Sequence, residues 1–409
     1  MELPTGVTPI DEVDSNRRRY VLRLNKSLYG LKSSGQNWFK KLRSGLTDRH
    51  FFQSQIDKCV FYIDRCVILN YIDDCIIIGK SMEIVDSVIE SLHDSDEDFE
   101  LTDEGNVNKY IGVLIGDIND TSFEMSQTFL IRRIITYLSL DEHKTRGHGT
   151  PVGKPLLNRD LDGCPQKHRW LYRGSAGMIR YLANSVRPEI QMAVHQRARF
   201  SMKPIRIHEL AIVRIGRYII DNPDCGVIYT VEKSRGLEVY VDADFAGGWN
   251  MADSTNTDNV LSITGFLIRY AGCPVIWSSK LKTEIALSTD EAESIAMSQV
   301  IREAFPVQRL AKEINCIVPL FTPTTNFCLT VLEDNLSSIS MAESLKFTPR
   351  TKHIAIKYHH LFSKVKTTYN TSGDIVIKYI STKKKLADIF TKPVDDVTFF
   401  TLRKLLCGW

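Results

Sequence analysis

The sequence has no cysteine pair at a CxxC spacing. Its nine cysteines are scattered and odd in number, which argues against both a disulfide framework and a zinc site. A reducing compartment is the expectation. Long apolar runs are missing too: no stretch approaches about 18 uninterrupted apolar residues, and the opening residues are too polar for a signal peptide, so no membrane partner is expected and the chain should be soluble and intracellular. An excess of one charge sign is also absent. With 52 Lys and Arg against 49 Asp and Glu the net charge is +3, so any nucleic-acid partner has to be argued from local clusters such as Lys383, Lys384 and Lys385. There is no internal repeat. What the sequence does have is 43% hydrophobic residues over 409 positions, enough to furnish two or three globular cores.

Periodicity divides the chain. Lys26 to Leu46 carries apolar residues at helical spacing, Cys66 to Ile78 is a β-branched run, Ser81 to His93 reads as a helix, Tyr110 to Ile118 as a strand and Gln127 to Leu138 as a helix. Asp141 to Gln166 reads as a polar linker, and Tyr172 to Phe200 and His208 to Ile220 as helices. Strands are expected at Glu238 to Asp242, Gly265 to Tyr270, Val275 to Ser278, Cys328 to Glu333 and Asp374 to Ile380, with helices between them. That order predicts a mixed five-stranded sheet with flanking helices, in a chain of α+β or α/β class.

Two groups of acids stand out against this pattern. Asp73 and Asp74 lie between two apolar runs of strand character, which places both carboxylates at a hairpin turn. Tight hairpins favour Asn-Gly or Asp-Gly, and adjacent like charges repel by roughly 1 to 4 kcal/mol, so a divalent cation would compensate; a solvated acidic turn is the alternative. In the second half, Val239 and Val241 share one face of a strand and Tyr240 and Asp242 the other. Glu293 falls in the first turns of a helix that opens with the capping-box pattern Ser288-Thr289-Asp290-Glu291, Asp334 ends a strand, and Asp388 opens a final helix. Acids on an apolar stripe are costly unless paired or metal-bound. Four of them, delivered by four elements, can hold two Mg²⁺ or Mn²⁺ ions about 4 Å apart for phosphodiester hydrolysis. Asp244 and Glu291 read as supporting or helix-terminal charges. Pro306 should kink or end its helix.

Several blocks in fixed order add to this: Leu28-Tyr29-Gly30-Leu31-Lys32 with Trp38; Tyr71-Ile72-Asp73-Asp74; Lys109-Tyr110-Ile111-Gly112; Tyr181-Leu182-Ala183 and Arg187-Pro188-Glu189-Ile190. Asp242-Ala243-Asp244-Phe245-Ala246-Gly247, Trp277-Ser278-Ser279-Lys280, Glu333-Asp334-Asn335, Arg350-Thr351-Lys352-His353-Ile354 and Leu386-Ala387-Asp388-Ile389-Phe390-Thr391-Lys392-Pro393 follow. Together they resemble the reverse transcriptase and RNase H region of copia-type retrotransposon Pol polyproteins over nearly the whole chain. Ser34, Gly35 and Gln36 depart from the family's small residue, Pro and Arg, and Trp249 to Asn259 is a polar insert.

The resemblance implies a partial reverse transcriptase palm and thumb-like region over residues 1–150, connection helices over 151–235, an RNase H-like domain over 236–396 and a C-terminal tail over 397–409. It makes Asp242, Glu293, Asp334 and Asp388 the ligands of two Mg²⁺ or Mn²⁺ ions that cut RNA in RNA/DNA hybrids, and Asp73 and Asp74 the acids of the polymerase hairpin. Tyr29, Lys32, Trp38 and Tyr71 would approach template RNA and primer; Arg350, Lys352, His353, Lys384 and Lys385, with Lys357 and His360, would meet phosphates or form a solvated basic face. In the family a third polymerase carboxylate lies upstream of where this sequence opens, and neither Asp11 nor Asp14 is placed to replace it, so no polymerase activity is expected of this chain alone. Other Pol parts are implied partners, and the cytoplasm, within virus-like particles, or the nucleus the setting. The alternative is a catalytically inactive remnant that binds nucleic acid.

Overall fold

The structure, a computed structural model, describes residues 25–93, 99, 101–140, 146–153, 157, 159, 162–168, 170–249, 251, 256–317, 327–344, 359, 363–368 and 370–409. Two compact units divide between Asp103 and Glu104. In the first, helix α1 (Ser34–Asp48) precedes strands β1 (Phe52–Gln53), β2 (Val60–Ile63), β3 (Cys66–Tyr71) and β4 (Asp74–Gly79), which pair antiparallel in that order, and helix α2 (Met82–His93) follows. Leu42 and Leu46 of α1, Phe61 and Ile68 of the sheet, and Val88 and Leu92 of α2 close one core. The spacing of Leu42 and Leu46, one helical turn apart, sets the buried stripe of α1.

The second unit holds two sheets. Strands β5 (Lys109–Tyr110), β6 (Val113–Asn119), β7 (Ser122–Ser126) and β8 (Val227–Thr230) form an antiparallel sheet. Helices α3 (Thr128–Tyr137), α4 (Tyr172–Ser185), α5 (Gln191–Ala198) and α6 (Arg206–Ile220) lie between its third and fourth strands in sequence. Strands β9 (Leu237–Asp244), β10 (Ile263–Tyr270), β11 (Cys273–Leu281), β12 (Leu329–Glu333) and β13 (Ile375–Tyr379) make the other sheet, in the order β11-β10-β9-β12-β13. Its first three strands are antiparallel; β9, β12 and β13 run parallel. Helix α7 (Thr257–Val260) lies in the polar insert, α8 (Thr289–Ile317) and α9 (Leu336–Ser344) flank β12, and α10 (Asp396–Cys407) ends the chain.

Strand alternation sorts the core into two layers. Leu237, Val239 and Val241 of β9 face Ala292, Ala296 and Val300 of α8, whereas Tyr240 and Leu267 face a second cluster with Leu182, Ile215, Phe390 and Leu402. Asp242 therefore lies on the Tyr240 side, as the alternation predicts.

All five strands expected in the second half form, each within a few residues of its expected bounds. Other segments differ. Tyr172 to Phe200 is two helices joined by a 3₁₀ turn at Pro188–Ile190, because proline lacks the amide that would continue the ladder. Pro306 neither ends nor splits α8, since one missing donor leaves the flanking bonds of a 29-residue helix in place. Strand β7 alternates polar and apolar residues over only 5 positions and β8 does not alternate, and the two pair across about a hundred residues, a long-range match that local pattern cannot reveal. Residues 397–409, expected as a tail, are helix α10 and its cap: Phe399, Leu402 and Leu406 are buried, and the Trp409 indole N–H donates to the Gly226 carbonyl at 2.7 Å.

Candidate active site

Parallel pairing of β9 with β12 brings their carboxyl ends to the same sheet edge, with Tyr240 opposite Leu332. Asp242 stands near the end of β9, Glu333 closes β12, and Asp334 follows it. Helix α8 packs on β9 and brings Glu293 to the same edge from its second turn. Its start carries the Ser288 half of the expected capping box, Ser288 Oγ accepting from the Glu291 amide at 3.1 Å, while Glu291 Oε2 reaches one residue further and accepts from the Leu287 amide at 2.8 Å. Glu291 is thus a helix-terminal charge.

One oxygen from each of Asp242, Glu293 and Asp334 lies within 4.8 Å of the others, the arrangement among the described residues that could hold a metal ion. Asp388 is not in this trio. It sits in the 3₁₀ turn Leu386–Phe390, beside the strand, and Lys392 Nζ spans from its Oδ2 at 3.0 Å to Asp242 Oδ2 at 3.8 Å. The Thr391 hydroxyl donates to Asp242. Gly265 is what lets that turn close: on β10 it pairs with Asp242 of β9, and a Cβ there would meet Thr391 Cγ2 at 2.5 Å, Phe390 Cβ at 2.8 Å and the Ala387 carbonyl at 3.1 Å.

At the centre of the acids is an ammonium. Lys385 Nζ lies 2.9 Å from Asp242 Oδ1, 3.1 Å from Glu333 Oε1 and 3.9 Å from Glu293 Oε1, and it donates to Asp334 Oδ1. Lys385, expected to face a phosphate, is instead fully buried, and its neighbours Lys383 and Lys384 are exposed. Glu333 also joins the cluster, its Oε1 accepting the Asp334 and Asn335 amides. The sequence signal for both was slight: a glutamate ending an apolar strand, and a lysine one residue before buried Leu386.

Burial and crowding show in the proton affinities. Burial, then the Glu333 charge, holds Glu293 well above the carboxylate range. Burial lifts Glu333 to about 7 against the pull of Lys385. Burial and the Asp242 charge lift Asp388 to about 6. Burial also presses on Asp334, but the hydrogen bond and charge of Lys385 and the Thr382 hydroxyl together keep it low. Burial opposes the charge of Lys385 itself, and the Asp242, Glu293 and Glu333 carboxylates overcome it. Lys282, donating to the Ala292 carbonyl, is lowered to about 8, by burial first.

The donor set suits a hard divalent cation, since every candidate ligand is a carboxylate oxygen. Glu293 Oε2, Glu333 Oε2 and Asp388 Oδ1 are buried with no hydrogen-bond partner among the described residues. Such orphaned oxygens are costly without a cation.

In the first unit, the hairpin forms, with a turn of Ile72 and Asp73 only: Asp74 begins β4 and pairs with Tyr71. Both acids and Tyr71 are exposed. Ile72 adopts φ +56°, costly for a β-branched residue. The Trp38 indole N–H donates to its carbonyl at 2.7 Å, so α1 steadies the turn. Lys32 is exposed and Tyr29 is 97% exposed, whereas Trp38 is half-buried against Phe99. Among the described residues no third carboxylate joins Asp73 and Asp74 in a metal-binding group. Asp11, Asp14, Arg350, Lys352, His353, Lys357 and His360 lie outside the described residues.

The other recurrent blocks hold structure together. The Trp277 indole N–H donates to the Ala183 carbonyl at 2.8 Å, tying β11 to α4. Arg187 and Glu189 form a buried ion pair at 2.6 Å, with Arg187 also donating to the Asn222 carbonyl and stacking on Tyr218 and Trp409.

Residues 4–153 match the family described as reverse transcriptase (RNA-dependent DNA polymerase). The chain is 28% identical over 395 residues to the retrovirus-related Pol polyprotein from transposon RE1 of Arabidopsis thaliana, covering 95% of this chain and 25% of that one. It is 28% identical to the corresponding polyprotein from transposon TNT 1-94 of Nicotiana tabacum, covering 99% of this chain and 29% of the relative. It thus spans about a quarter of the length of these relatives. Among solved structures, LC11-RNase H1 isolated from compost aligns with 38% of this chain and 92% of its own, at 13% identity and a TM-score of 0.22, a likeness too slight to carry any argument. Across nearly its whole length, therefore, the chain is a relative of the retrovirus-related Pol polyproteins of copia-type transposons, with a reverse transcriptase segment over residues 4–153.

Proposed function

We propose that residues 236–396 form an RNase H-like centre that hydrolyses the RNA strand of RNA/DNA hybrids, within a retroelement segment whose first part is of reverse transcriptase kind. The observation that carries this reading is the convergence of Asp242, Glu293 and Asp334 from a strand, a helix and a second strand end onto one point. Two Mg²⁺ or Mn²⁺ ions held there would supply an activated water and stabilise the departing 3′ oxygen. Asp242, Glu293 and Asp334 would hold them, and Asp388, linked to Asp242 through Lys392, would be the fourth ligand. Thr391 and Lys392 orient Asp242 through its Oδ2, leaving Oδ1 directed into the cluster.

Exposed Lys383 and Lys384 stand beside the acids and would take the phosphates of the duplex, fixing its position without reading its sequence. Tyr29, Lys32 and Tyr71, all exposed, would approach template RNA and primer. Other parts of the Pol polyprotein are the proposed partners, in the cytoplasm or nucleus.

A labelled RNA/DNA hybrid incubated with Mg²⁺ tests the reading. Wild type should cut the RNA strand, and Asp242→Asn should cut at least about a hundredfold more slowly, as expected when a group that positions the reacting ions is lost. Equal cleavage by the two proteins refutes it. A second reading, a nucleic-acid-binding remnant without turnover, is favoured by the ammonium within the acid cluster and predicts binding of hybrid with no cleavage by either protein.

A further inference from the structure

Lys385, expected to meet a phosphate, is buried among the acids instead. Its side chain is fully buried and its ammonium has three N–H donors. Glu333 Oε1 and Asp334 Oδ1 accept two of them, and Asp242 Oδ1 lies 2.9 Å from the ammonium as an ion-pair partner. Glu293 Oε1, at 3.9 Å, is held by charge attraction alone, and its Oε2 has no hydrogen-bond partner among the described residues. The ammonium therefore does for these acids what a cation would do, from the same point in space. Five carboxyl groups, those of Asp242, Glu293, Glu333, Asp334 and Asp388, face the ammonium groups of Lys385 and Lys392, with the Lys282 charge also acting on Glu293.

We infer that Lys385 is the resident cation of this centre: its ammonium fills the position a divalent ion needs, so the site folds without metal and takes metal only when the Lys385 side chain moves out. The inference rests on reading the cluster as a metal centre and adds how access to it is controlled. Mg²⁺ bonds oxygen at about 2.0–2.1 Å, so an ion bound to Asp242 Oδ1 and Asp334 Oδ1 would share both oxygens with an ammonium in contact with them. Two cations cannot occupy that volume. Entry of the ion requires those bonds to Lys385 to break, and affinity falls by the cost of breaking them.

The test uses the full chain and Mn²⁺ alone as the probe, with free Mn²⁺ measured by electron paramagnetic resonance and thermal unfolding followed in parallel. Lys385→Gln removes the charge and keeps a polar side chain. It should bind Mn²⁺ roughly tenfold or more tightly than wild type, and its unfolding temperature should rise with Mn²⁺ while that of wild type stays level. Adding Asp242→Asn to Lys385→Gln should abolish the gain. Equal Mn²⁺ affinity in wild type and Lys385→Gln overturns the inference. Should Lys385→Gln fail to fold with or without Mn²⁺, wild type decides alone: micromolar Mn²⁺ binding that Asp242→Asn removes overturns it, and its absence supports it. A Lys385→Gln protein that gains Mn²⁺ but leaves hybrid uncut keeps this inference and sinks the nuclease reading. Wild type that cuts hybrid and binds Mn²⁺ as tightly as the variant does the reverse.

Discussion

Gly265→Ala is the substitution whose consequence the geometry determines most directly. Alanine would ordinarily be preferred, since glycine in a strand interior is the weaker choice by roughly 0.5–1 kcal/mol. At this position the added Cβ would lie 2.5 Å from Thr391 Cγ2, 2.8 Å from Phe390 Cβ and 3.1 Å from the Ala387 oxygen. Ordinary contact begins near 3.4 Å; the Thr391 methyl is held by the bond of its hydroxyl to Asp242, and the other two atoms belong to the turn itself. The 386–390 turn must move away from β10, and overpacking of this kind costs about 1–3 kcal/mol, which outweighs the propensity gain. The movement would carry Thr391 and Lys392 off Asp242, so hybrid cleavage should fall together with stability. Urea unfolding measures the first. Thr391→Ser removes the nearest methyl while keeping the hydroxyl bonded to Asp242, so in the Gly265→Ala background it should restore about 1 kcal/mol, a coupling that a double-mutant cycle reads. If Gly265→Ala costs under about 0.5 kcal/mol, or if the two substitutions are additive, the account of how the turn is seated is wrong.

Two further outcomes follow from other parts of the molecule. His195 accepts the Leu281 amide at Nε2, 3.1 Å away, and faces Ser279 through Nδ1, and burial, then Arg199 and Arg180, lowers it to about 4. Because its folded value lies below the unfolded 6.5, the unfolded chain takes up the proton first as pH falls. Its contribution is complete above about 6.5 and lost towards 4, so the His195 share of the unfolding free energy should fall by about 2 kcal/mol between pH 7 and 5, read as the difference between the wild-type and His195→Gln profiles because Glu333 and Asp388, with raised values, act in the opposite sense. In the first unit, Ile72→Gly relieves the left-handed backbone of an exposed residue and should stabilise by about 1 kcal/mol, whereas Trp38→Phe loses the bond to its carbonyl and should cost about 1 kcal/mol. Denaturant midpoints of the two variants shifting in the same direction would refute this description of the turn.

Much of the site was legible from local pattern. The alternation of Val239, Tyr240, Val241 and Asp242 set which face the aspartate takes, and the capping box at Ser288 set where Glu293 falls, because side-chain direction repeats with period 2 in strands and 3.6 in helices. The five strands of the mixed sheet and the hairpin around Asp73 were readable for the same reason. What local pattern could not reach was anything set by distant residues. The pairing of Ser122–Ser126 with Val227–Thr230, the packing of α10 into the core and the seating of the 386–390 turn on Gly265 join segments far apart in the chain. Lys385 shows the limit most plainly. In sequence it is the third of three lysines and belongs with a solvated basic run. In the fold, Leu386 anchors the next position in the core, which turns Lys385 inward while Lys383 and Lys384 stay outside. Only the meeting of β9, α8 and β12 at that spot supplies the carboxylates that make burying its charge tolerable.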